Sequence, residues 1–98
     1  MPLTKLQKQQ IFKILEPFQP EKVWIFGSFA RNENKPGSDL DLMVKFNKKI
    51  GLFELIGLEQ DLTEVLGIKV DIVTEGSLDP IVKPFVDMDI KPLQVNEE

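Results

Sequence analysis

Short stretches of the chain alternate between two patterns of hydrophobic spacing, and the switch from one to the other marks out the elements. Leu6, Ile11, Phe12, Ile14 and Leu15 recur at roughly helical intervals behind Thr4, which with Gln7 forms a capping-box pattern. Pro17 and Pro20 break that run, so a first helix ends there. Val23-Trp24-Ile25-Phe26 is a continuous apolar run ending at Gly27, as expected of a strand covered on both faces. Ser28 to Asn32 reads as a short helix, and Asn34-Lys35-Pro36-Gly37 as a turn.

From Ser38 to Phe46 the period drops to two. Leu40, Leu42, Val44 and Phe46 share one face; Asp39, Asp41, Met43 and Lys45 share the other. Leu52 to Leu66 returns to helical spacing and stops at Gly67, with Phe53 off the apolar arc. Ile68 to Thr74 alternates again, with Ile68, Val70 and Ile72 against Lys69, Asp71 and Val73. Asp79-Pro80 suits a helix start, and Pro84 limits or kinks that helix. Ile90 to Val95 is compatible only with an edge strand because of Pro92.

The predicted order is helix, strand, short helix, strand, helix, strand, helix (αβαβαβα), an α+β arrangement of a sheet with helices packed on it. The first connection is too short for a parallel crossover, so the sheet is expected to be mixed. With 98 residues the expectation is a single domain, 1–98.

Composition narrows the chemistry. Histidine and cysteine are both absent, which removes the usual general base, the commonest zinc ligand, thiolate sites and disulfides. A site must then work through carboxylates, hydroxyls, Lys, Arg and oxygen-loving metals. The net charge of −4 argues against direct nucleic-acid binding. No apolar run has the length of a membrane span and the first residues lack a signal-peptide core, so a cytoplasmic protein is expected.

Asp39 and Asp41 fall on one strand face about 6.5 Å apart at the usual rise per residue. If the next strand is a neighbour, Asp71 joins them. Such a trio is self-repelling, and a divalent cation relieves it; Mg²⁺ takes a few carboxylates and fills its remaining positions with water and phosphate oxygens. Opposite stand Gly27, which permits close approach to the backbone, and Ser28, whose hydroxyl and neighbouring N–H groups suit an anion. Arg31 can present a fork-shaped phosphate donor. Taken singly, an Asp-x-Asp is usually a solvated strand face and a Gly-Ser pair usually a turn. Parity, which places every part on one side, makes the combination specific.

Gly27-Ser28, Ala30-Arg31, Pro36, Ser38-Asp39-x-Asp41-Leu42 and the later Val70-Asp71 resemble the pattern of the DNA polymerase β-like nucleotidyltransferases, in particular the minimal nucleotidyltransferase (MNT) group. The resemblance implies the polymerase β-like nucleotidyltransferase fold. It also implies two Mg²⁺ ions held by Asp39 and Asp41, with Asp71 completing the site beside the acceptor hydroxyl. Gly27, Ser28, Arg31 and Ser38 are the nucleotide-binding candidates. The implied reaction moves a nucleoside monophosphate, AMP from ATP or another NTP, to a hydroxyl and releases pyrophosphate. Members of this group pair with a HEPN-family protein encoded alongside as a toxin–antitoxin module, in some cases adding AMP to a tyrosine of the toxin.

Two departures stand out: Asn32 replaces a usual glycine, and Lys83 to Val95 is interrupted by prolines. Three readings are open: an active transferase acting on a partner protein, a non-catalytic antitoxin that binds a HEPN partner, and a structural domain with exposed acids. A core this bare needs an acceptor site from a second protein or from a homo-oligomer, and Phe29 and Phe53 are candidate contacts.

Overall fold

The computed structural model describes residues 3–74 and 90–93. Helix α1 (Lys5–Leu15) opens on the expected capping box: Thr4 N donates to Gln7 Oε1 at 2.8 Å and Gln7 N to Thr4 Oγ1 at 3.1 Å. It buries Ile11 and Leu15 completely, whereas Leu6 stays 63% exposed, because five positions before Ile11 lies well round the helical wheel. A 3₁₀ turn over Glu16–Phe18, with Pro17 near its start, ends the helix. Gln19, left-handed at φ 57°, then swings the chain into β1 (Pro20–Phe26), which starts three residues before the expected Val23.

Strand β2 (Leu40–Phe46) runs antiparallel to β1, as the short connection required. Helix α2 (Leu52–Leu66) ends at Gly67 in the left-handed conformation, φ 69°. It carries the chain over to β3 (Val70–Thr74), which lies parallel to β2. A two-residue strand, β4 (Lys91–Pro92), pairs antiparallel with β1 on the opposite edge, where the sequence allowed a proline-bearing strand. Among the described residues the sheet is mixed, in the order β3-β2-β1-β4. The helix expected from Asp79-Pro80 lies outside the described residues.

One expected element is different. Residues 27–32 form a hydrogen-bonded turn rather than a short helix, with Arg31 N donating to Gly27 O and Glu33 N to Ser28 O. Gly27 at φ 73° and Asn32 at φ 58° bracket the segment with left-handed residues, which leaves no room for a second helical turn. Asn32 therefore occupies a glycine-like position that asparagine tolerates better than other residues, which accounts for the departure at this site.

Both helices cover the same sheet face. Val23, Leu40, Leu42, Val44, Val70 and Ile72 meet Ile11 and Leu15 of α1 and Leu58 and Leu62 of α2. Phe29, expected to be an exposed contact, instead belongs to this core with 7% of its surface exposed. Phe53 stays outside it at 87% exposed.

Helix α2 also closes the outer flank of β3. Thr63 Oγ1 accepts from Val70 N at 3.0 Å, and Glu59 Oε2 accepts from Ile72 N at 2.7 Å. These two amides are at alternate positions and point away from β2, so among the described residues side chains stand where a further strand would pair.

Candidate active site

The sheet face turned away from α1 and α2 carries the acids. Register sets Asp41 against Asp71 across the parallel β2–β3 pair and Phe26 against Asp41 across β1–β2. The next row is apolar: Trp24, Met43 and Val73 lie side by side, and Met43 is only 4% exposed although parity puts it on the acid face. Asp39 stands just ahead of β2, with 43% of its side chain exposed.

Asp41 carries the electrostatic strain. Burial, then the Asp71 and Asp39 carboxylates, push its carboxyl from the ordinary 3.8 up to about 6, against an opposing pull from Arg31. Asp41 therefore feels both of the other carboxylates. Among the described residues no three acids are close enough to enclose a single ion. A cation here would take one or two carboxylates at a time and complete its shell with water and phosphate oxygens, which is the habit of Mg²⁺. The all-oxygen donor set fits that ion.

Gly27 faces this acid directly. A Cβ at Gly27 would come within 2.5 Å of Asp41 Oδ2, and its φ of 73° is unfavourable for any side chain. Ser28, half-buried, is the next residue of the turn.

The remaining candidates lie at the rim. Arg31 Nε donates to Glu33 Oε1 at 2.7 Å while its charge still reaches Asp41. Ser38 closes the turn leading into Asp39: Lys35 N donates to its hydroxyl at 2.8 Å, and its own N–H returns to Lys35 O at 2.9 Å. Ser38 also lines an open cleft of about 590 Å³ together with Phe29, Lys35 and Lys69. A second cleft, of about 460 Å³, runs from Ile56, Glu59 and Glu64 to Asp71.

Lys69 was not singled out from the sequence. Its ammonium lies 4.0 Å from Asp39 Oδ2. The signal was available, since Lys69 shares the alternating face of Asp71.

Comparison with known proteins bears on family and fold. The nucleotidyltransferase domain family matches residues 8–93. A Methanocaldococcus jannaschii protein named "Putative protein adenylyltransferase MJ1217" is 42% identical over 80 residues, covering 80% of this chain and 82% of its own. Among solved structures, a toxin–antitoxin structure with AMP-PNP superposes with a TM-score of 0.79 at 23% identity, covering 92% of this chain and 74% of that one. A tri-AMPylated HEPN toxin of Shewanella oneidensis in complex with MNT antitoxin gives a TM-score of 0.74 at 22% identity, covering 94% and 72%. The last two likenesses bear on the fold.

The class is thus a nucleotidyltransferase with the polymerase β-like fold. Within it, the chain belongs to the minimal nucleotidyltransferase family that includes the MntA-type protein adenylyltransferases.

Proposed function

We propose that this protein transfers AMP from ATP to a hydroxyl of a HEPN-family partner in the cytoplasm, as the antitoxin of a two-component module. The observation that carries the reading is the in-register pair Asp41–Asp71, with the Asp41 carboxyl pushed up to about 6 opposite a glycine that leaves its oxygen accessible. A self-repelling acid cluster costs stability, and binding a cation with nucleotide offsets that cost. Among the described residues no helix is long and apolar enough to cross a membrane.

In this reading Asp39 and Asp41 hold Mg²⁺, which would supply charge neutralisation for both the entering and the leaving oxygen. The Gly27-Ser28 turn receives the triphosphate, and the missing Cβ lets phosphate oxygens approach the main chain. Arg31 and Ser38 border the same opening. Asp71, beside Asp41 but on the outer strand, orients the acceptor hydroxyl. That oxygen forms the new bond to the α-phosphorus, the bond to the bridging oxygen breaks, and pyrophosphate leaves along the line of attack. The hydroxyl proton passes to Asp71 or to solvent. Histidine is not needed.

The test is incubation with radiolabelled ATP, Mg²⁺ and the HEPN protein encoded beside it. Label should appear on the partner with wild type and not with Asp41→Asn. Stable complex formation without transfer from any NTP would replace this reading with that of a non-catalytic antitoxin.

A further inference from the structure

The lysine just ahead of β3 stands at the junction of two clefts with opposite lining. Of the residues around them, Lys69 is the one common to both. The cleft of about 590 Å³ adds Lys35 and Ser38, the latter directly before Asp39, and extends to Thr4 and Gln7. The cleft of about 460 Å³ holds Glu59, Glu64 and Asp71. An anionic group is favoured in the first and opposed in the second.

The main chain of Lys69 is held while its side chain is not. Its carbonyl accepts from Leu40 N at 2.8 Å, which locks the residue against the peptide linking Asp39 to β2. The side chain is 69% exposed and meets Asp39 at 4.0 Å, a loose pair that solvent screens and little energy breaks. A four-carbon stem carrying a compact charge is suited to exchanging one partner for another.

We infer that Lys69 is a positioning residue that exchanges partners: it compensates Asp39 before the substrate arrives and turns into the Lys35 cleft to hold a nucleotide phosphate once the acids are loaded. The inference rests on the proposed transferase reading and adds a determinant of substrate binding to it. Its sign is unusual for a site lysine. Removing it should help the cation and harm the nucleotide.

The experiment compares wild type, Lys69→Met and Lys69→Arg in two titrations. Mn²⁺ alone is followed by electron paramagnetic resonance, and a non-hydrolysable ATP analogue with Mg²⁺ by calorimetry. Lys69→Met should bind Mn²⁺ about 2- to 5-fold more tightly, as expected when a weak, screened competing charge is lost. It should bind the analogue about 10-fold more weakly, the scale of one charge-assisted phosphate contact. Lys69→Arg should restore most of the analogue affinity. Unchanged affinities in Lys69→Met, or a parallel weakening of both, would overturn the inference. If wild type itself binds neither probe, the transferase reading falls first and takes this inference with it.

Discussion

The two faces of β2 show how one strand serves two opposite ends. On one, Leu40, Leu42 and Val44 are completely buried beneath both helices, and every contact favours folding. On the other, Asp41 is held half-buried beside Asp71 with its carboxyl pushed up to about 6. The first face stabilises the domain; the second lowers that stability. Met43, only 4% exposed on the acid face, marks the boundary between the two behaviours. What separates them is the register, since a one-residue slip would exchange every side chain between faces.

The contrast can be broken most severely through function. Asp41→Asn should lower AMP transfer on the order of 10³-fold, the scale for losing a preorganised electrostatic group, read from the rate of label incorporation. On the opposite face, Leu42→Ala should cost about 2–5 kcal/mol in urea unfolding, because the site lies between packed helices and sheet and cannot collapse fully. Unchanged unfolding would mean the two faces are less distinct than described.

Gly27→Ala tests the facing turn. Left-handed backbone and the encounter with Asp41 together should cost about 2 kcal/mol, with nucleotide affinity falling alongside stability. A variant as stable as wild type would show that the turn relaxes away from the acid.

The smallest effect has the most telling sign. The folded protein retains the Asp41 proton up to about pH 6, whereas the unfolded chain releases it near the ordinary 3.8. Between those values the folded state binds more protons, so this group makes metal-free stability fall as pH rises from about 4 to about 6, with no further change from it above. The full shift would correspond to about 3 kcal/mol; solvent screening of a half-exposed group reduces this to about 1–2 kcal/mol. Asp41→Asn should therefore melt higher than wild type at pH 7 without metal, by roughly 4–8 °C per kcal/mol in a domain of this size. It should also lose that part of the pH dependence and the stabilisation by Mg²⁺ with nucleotide. A lower melting point would remove the idea of a strained acid cluster.

Most of this arrangement could be read from spacing. Alternation in β2 and β3 gave the faces, the short β1–β2 connection gave the mixed sheet, and the Thr4 and Gly67 caps marked helix ends where the structure has them. Asp41 and Asp71 could be grouped because parity in a strand is a strict rule, whereas Asp39, expected on the strand, stands just ahead of it. Less legible was anything set by a few backbone angles or by tertiary contact. Residues 27–32 have a composition that permits helix, but left-handed conformations at Gly27 and Asn32 allow only a turn. Phe29 looked free to meet a partner because its burial depends on elements distant in sequence. Lys69 was overlooked although alternation put it on the Asp71 face, because its proximity to Asp39 depends on strand pairing.

Thr63 and Glu59 occupy two of the outward amides of β3, those of Val70 and Ile72, and this limits how another molecule can meet that flank. An extended chain arriving there would find these two donors, which β-augmentation needs, already bonded. Recognition along Val70 and Ile72 therefore reads side chains rather than extending the sheet. The same two caps keep the molecule from templating filaments through its outermost strand.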